Sequence, residues 1–173
     1  MHDHADPADD VGTGPTEFGL TVRWAECDAA GIIYHARVFD WFSEARVTWL
    51  AQTGLSYYTH LRPRGVELLV LATEARFHRP LGPGAKVTVR AGVTKFTPTR
   101  MTFRYLVTLD GVLAVEGATH HAFVIAGRAA NLRKSAPDIY AALAAAGTLE
   151  LGGPEATSTG KNRRAIHEGT VPT

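Results

Sequence analysis

The chain has one cysteine, Cys27, which excludes an intrachain disulfide framework and fits a reducing compartment. It has no apolar run approaching the roughly 20 residues that cross a bilayer. It also lacks an excess of either charge: 18 Lys and Arg stand against 17 Asp and Glu, with no basic stripe. Nucleic acid is therefore not expected as a main partner, nor is a membrane. The opening "MHDHADPADDVGTGPTE" is acidic and has neither the positive n-region nor the apolar h-region of a secretory signal. No HExxH or CxxC spacing occurs, so no metal and no other cofactor is implied. A cytoplasmic protein of ordinary globular composition is the expectation, and 173 residues suffice for one core.

Residues 1–16 carry Asp, Pro and Gly with little to bury and read as a disordered leader. His2 and His4 lie there, and two imidazoles on a solvated segment make a poor metal cage. Residues 147–173 are polar and low in aromatics, which predicts a flexible C-terminal tail. The domain is expected over 17–146.

Within it, "EFGLTVRWAE" alternates Phe18, Leu20 and Val22 with polar or small neighbours, the pattern of a first strand. From Val38 the period changes, and Val38, Phe42, Ala45 and Trp49 recur at helical spacing until Gly54 can end the helix. "VELLVLATEARFHRP", "KVTVRAGVTKF", "TRMTFRYLVTL" and "VLAVEGATHHAFVIA" read as four long strands in antiparallel succession. "PLGPG" marks one turn, and Asp110-Gly111 a two-residue hairpin. "SAPDIYAALAAAG" closes the domain as a short helix. One strand, one long buried helix and a run of antiparallel strands predict an α+β protein of the hotdog kind, a long central helix wrapped by a curved antiparallel sheet.

The junction "WAECDAAGIIYHARVFDWFSEARVTWL", residues 24–50, concentrates the chemistry. Asp28 precedes a small-residue turn, and its carboxylate can simply cap loop amides. It also lies just ahead of a helix start, where free N–H groups and the helix dipole favour negative charge. A carboxylate facing such donors provides a base or nucleophile and an oxyanion hole, the two halves of an acyl-transfer site. Other groups read as structural. Glu44 fits a solvated helix position, Cys27 has no cation beside it to lower its thiol pKa, and His120 and His121 face opposite sides of a strand.

The stretch "ECDAAGIIYHARVFDWFSEARVTWL" resembles the signature of the 4-hydroxybenzoyl-CoA thioesterase family of hotdog acyl-CoA thioesterases, including its YbgC-like branch. The likeness is specific over residues 22–50 and co-linear through the strands to about Ala126. It implies that Asp28 acts on a thioester carbonyl, as nucleophile or as base for water. It places His35 at the first helical turn, where a backbone N–H polarises that carbonyl, with the imidazole as a second candidate. Gly31, Ile32 and Tyr34 would then line the substrate, as would Arg37. Lys95, Arg100 and Arg104 would lie near the nucleotide phosphates.

Arg37-Val38 departs from the Asn-Tyr usual there, Glu26 replaces a common Asp, and Thr97-Pro98-Thr99 thins the usual basic cluster. The implied substrate is an acyl-CoA or a phosphopantetheine-linked acyl group, the latter borne by an acyl carrier protein. Because one helix and one sheet leave an apolar face uncovered, a homodimer or homotetramer is expected. Tyr34, Phe39, Trp41 and Phe42 favour an aromatic or medium-length acyl group. A hotdog hydratase or dehydratase and a non-catalytic acyl-binding protein are the alternatives.

Overall fold

The structure, a computed structural model, describes residues 14–149 and residue 151. The remainder of the expected leader and tail lies outside the described residues. Strand β1 (Thr16–Thr21) is followed by two short 3-10 turns, Trp24–Glu26 and His35–Arg37, and then by helix α1 (Val38–Gln52). A π-type turn, Tyr57–Leu61, and a 3-10 turn, Arg62–Arg64, lead into β2 (Val66–Phe77). Then come β3 (Lys86–Phe96), β4 (Arg100–Leu109), β5 (Val112–Ile125) and β6 (Arg128–Ala129). The short helices α2 (Leu132–Ser135) and α3 (Pro137–Ala146) follow.

The long helix forms where the apolar period predicts it. Val38, Trp41, Phe42, Ala45, Trp49 and Leu50 are its buried residues. It ends at Gly54, whose φ of 74° is the left-handed conformation a glycine adopts without strain. The Leu55 N–H reaches back to the Leu50 carbonyl and the Gly54 N–H to the Ala51 carbonyl, the paired bonds of a Schellman cap.

The apolar positions of β3 (Val87, Val89, Ala91, Val93) and of β4 (Met101, Phe103, Tyr105, Val107) are all buried, as the alternation requires. Phe42 stacks on Tyr105 at 4.2 Å, and Trp49 meets Phe103 edge-on at 5.3 Å. Each such side chain contributes about 1.5–3 kcal/mol by leaving water. At Gly117, under the helix, an added β-carbon would stand 2.5 Å from both the Phe42 ring and the Glu74 carbonyl oxygen. Only glycine lets helix and sheet approach so closely.

Pairing is antiparallel throughout, in the order β1-β3-β4-β5-β2, with β6 beside the end of β5. The hotdog architecture stands, with one difference from the strand succession read in the sequence: β2 pairs with β5, not β3. The segment containing "PLGPG" is a crossover between them. A connection of about eight residues reaches roughly 27 Å, ample for three strand spacings of about 4.8 Å.

Strand β2 is therefore an edge. A bulge between Val70 and Ala72 interrupts it, and Leu69, Val70, Leu71 and Phe77 are 44–52% exposed. Helix α1 lies over β1 and β3 and leaves the helix side of β2 open. Beyond α3, Leu149 donates its N–H to the Val93 carbonyl at 2.7 Å, and Leu151 is buried against Gly92.

Candidate active site

The loop before α1 is a small hairpin. Cys27 and Ile33 form an isolated antiparallel bridge, the Asp28 N–H donates to the Ile32 carbonyl, and the Tyr34 N–H donates to the Glu26 carbonyl. Its tip is a β-turn closed by the Gly31 N–H on the Asp28 carbonyl at 2.9 Å, with Gly31 at a φ of 73°. The hairpin is fastened to the crossover between β2 and β3 by the Ile33 N–H on the Leu81 carbonyl at 2.8 Å. Ile33 and Leu81 are both buried, so this end of the loop is part of the core.

Two acidic side chains on this hairpin have different surroundings. Glu26 is 5% exposed. Its carboxylate accepts the Arg23 N–H at 2.8 Å, the Arg23 guanidinium at 2.9 Å and the Trp41 indole N–H at 3.2 Å. Burial pushes the Glu26 carboxyl up, but these donors outweigh it and hold it below the ordinary carboxylate range. Asp28 is exposed. Its Oδ1 accepts the Ala30 N–H at 2.8 Å, the Asx-turn bond, which orients the carboxylate and leaves it open to solvent.

At the other end of the hairpin the helix begins. The Tyr34 and Arg37 amides are committed to the Glu26 and Tyr34 carbonyls. Among the described residues, the amides of His35 and Ala36 between them donate to no carbonyl. These are the unsatisfied donors of a helix start. His35 is exposed, and its ring lies 4.5 Å from that of Tyr34. Ile32 and Tyr34 are 38% and 45% exposed, so apolar surface flanks the carboxylate. An accessible carboxylate, uncommitted amides and an apolar border on one hairpin can activate water, receive an oxyanion and seat an acyl group.

The other residues picked out from sequence divide. Arg37 is exposed and pairs with Asp40 at 3.3 Å. Lys95 and Arg100 are exposed at the two ends of the β3–β4 turn. Arg104 is exposed as well and bonds Glu116 at 3.1 Å; by register it shares with Lys95 and Arg100 the sheet face that points away from α1. Arg104 and His78 hold the Glu116 carboxyl below its usual range, against a smaller upward push from burial. This face carries a cavity of about 450 Å³ lined by Arg76, Arg104, Glu116 and His120, among others. It lies on the side of the sheet opposite the helix.

Of the aromatics expected near an acyl group, Trp41 and Phe42 are instead core residues, since their indole and ring are spent on Glu26 and Tyr105. Phe39 is half-buried and Tyr34 exposed. Cys27 donates its thiol to the Arg23 carbonyl, and burial, aided by Asp28 and Glu26, pushes its pKa up, away from reactivity. The supports of the loop, Arg23, Trp41 and Leu81, carry no motif. The one sequence signal for them is Glu26 itself, an acid beside a buried-helix pattern.

A family model described as the thioesterase-like superfamily matches residues 22–146. A hypothetical protein from Thermus thermophilus, of known crystal structure, is 33% identical, with a TM-score of 0.69 over 75% of this chain and 97% of that one. A DHNA-CoA thioesterase from Staphylococcus aureus is 25% identical, with a TM-score of 0.71 over 76% of this chain and 89% of that one. A 1,4-dihydroxy-2-naphthoyl-CoA hydrolase from Microcystis aeruginosa is 27% identical over 97 residues, 56% of this chain and 70% of its own.

Proposed function

The chain belongs to the thioesterase-like superfamily, and from that premise we propose that it hydrolyses acyl-CoA thioesters with Asp28 as general base and the His35 backbone N–H as oxyanion donor. One observation carries this reading: a single hairpin bears an exposed carboxylate, oriented by Ala30, and uncommitted amides at the start of a helix.

Water, deprotonated by the Asp28 carboxylate, adds through its oxygen to the thioester carbon. The carbonyl oxygen becomes an oxyanion held by the His35 amide. Collapse of this intermediate breaks the carbon–sulfur bond, and the departing thiolate recovers the proton from Asp28. A thiolate leaves readily, so no stronger acid is needed. Solvent access to Asp28 favours its acting on water over direct attack on the thioester.

Relatives named for 1,4-dihydroxy-2-naphthoyl-CoA support an aromatic acyl group. Lys95 and Arg100 are the cations offered to the coenzyme A phosphates, and an acyl carrier protein is the second carrier to test. The deciding measurement is free-thiol release from acyl-CoAs and acyl carrier proteins. Asp28→Asn is expected to lose at least about 100-fold in turnover. Undiminished hydrolysis by that variant would sink the mechanism.

The open edge and exposed apolar residues of β2 support a homodimer joined there. Sedimentation of Leu69→Lys should show monomer where the parent shows dimer. An unshifted dimer would place the contact elsewhere.

A further inference from the structure

Arg46 is a half-buried cation on α1 that the chemistry above does not use. Its Nη1 donates to the Tyr105 hydroxyl at 3.5 Å and its Nη2 to the Ser43 hydroxyl at 3.4 Å, both long bonds. No carboxylate among the described residues lies within ion-pair distance of it. Behind it runs a neutral polar chain. The Tyr105 hydroxyl meets Thr119 Oγ1 at 2.8 Å, and Thr119 Oγ1 meets His121 Nε2 at 2.8 Å. His121 is 1% exposed, and burial first, then the Arg46 charge, pushes its pKa down to about 4. Among the described residues nothing offsets the guanidinium. Two of its five N–H groups are engaged, and weakly.

The position of Arg46 gives this charge a use. His35, Phe39, Phe42 and Arg46 follow the i, i+4, i+7, i+11 spacing, so they share one side of the helical segment. That side borders the open strip between α1 and β2. Gly117, which faces the Phe42 ring, pairs with Ala75, so Ala75 turns toward the helix side, and Thr73 and Phe77 with it. Thr73 and Phe77 are exposed there because α1 does not reach them.

The strip runs from the amide of His35 at one end to Arg46 at the other. The 3-10 turn His35–Arg37 and the α1 turns up to Arg46 together rise about 18 Å, and an arginine side chain leans several ångströms back toward the N-terminus. The span left between amide and guanidinium is on the order of 12 Å. A benzoyl group with a para carboxylate fills it, and a planar guanidinium binds a carboxylate with two parallel hydrogen bonds.

We propose that Arg46 determines acyl-group specificity, selecting thioesters whose acyl group carries a carboxylate at the end remote from the thioester. The inference rests on the thioesterase reading for its substrate class and on Arg46 alone for its selectivity. The test compares kcat/KM for 4-carboxybenzoyl-CoA and benzoyl-CoA in the parent, Arg46→Gln and Arg46→Lys. The parent should favour the carboxylated substrate at least tenfold. Arg46→Gln should lower that ratio at least tenfold, and Arg46→Lys should restore part of it, since the charge returns without the fork. A parent without the preference, or a ratio that Arg46→Gln leaves unaltered, overturns the proposal. An unaltered ratio with dissociation to monomers would assign Arg46 to a subunit contact instead.

Calorimetry with the non-hydrolysable thioethers 4-carboxybenzyl-CoA and benzyl-CoA separates the two readings. Arg46-dependent preference for the carboxylated thioether, with no thiol release from either thioester, would end the thioesterase reading and leave the role of Arg46 intact.

Discussion

Glu26 and Asp28 are separated by one residue on the same hairpin, yet they occupy opposite environments. Glu26 is 5% exposed and accepts hydrogen bonds from Arg23 and Trp41, whereas Asp28 is exposed and accepts one local amide. A buried carboxylate with its lone pairs occupied can anchor a loop but has nothing left for a substrate. An exposed one held at a single oxygen keeps a free face for chemistry. Alternation alone would put residues two apart on one side of an extended chain; the tight turn that begins at Asp28 swings the second carboxylate outward. The comparison predicts that the two substitutions fail differently.

The largest effect falls on turnover. Asp28→Asn should lose at least about 100-fold in thiol release while its melting temperature stays within a degree or two, because it breaks no buried contact. His35→Pro belongs to the same class. It removes the amide proposed as oxyanion donor, and loss of one such donor costs about 100-fold or more in kcat. The ring is tolerated at the first position of a helix, and Tyr34, at φ −64° and ψ 123°, already has the conformation preferred before proline. A folded His35→Pro enzyme with full kcat would remove His35 from the mechanism.

Glu26→Gln should do the reverse, giving up stability first. The amide cannot accept from all its present donors, and hydrogen bonds to a charged group are worth about 2 kcal/mol. The pH dependence follows from the lowered Glu26 pKa. Its contribution is fully present above the unfolded value of about 4.3 and is lost as pH falls through the folded one. Calorimetry at neutral pH and near pH 3.5 should therefore show the parent and Glu26→Gln converging on acidification. A difference in melting temperature that persists at the lower pH would mean the carboxylate charge is not what anchors the loop.

This division was only partly legible in the sequence. The aspartate, the turn glycine and the helix start are local, so motif and period place them. The partners of Glu26 are not local: Trp41 meets it because the helix packs down on the hairpin, and no spacing rule announces that. The same limit explains Trp41 and Phe42, whose aromatic stripe reads alike whether it faces a substrate or the core. Strand β2 was legible as a strand but not as an edge. Its consecutive Leu69, Val70 and Leu71 blur the two-residue period, and sheet order depends on which strand completes the pairing, a contact far away in the chain.

The smallest predicted effect sharpens the comparison at the helix end of the hairpin. If the amide of His35 does the work, its imidazole is dispensable, and His35→Ala should lower kcat/KM by no more than about threefold, far short of the proline variant. The ring is exposed beside that of Tyr34 and takes part in none of the backbone bonds of the hairpin, so its removal leaves those bonds and the helix start in place. Alanine keeps the N–H, and proline deletes it. A loss from alanine as large as that from proline would transfer the role from backbone to side chain.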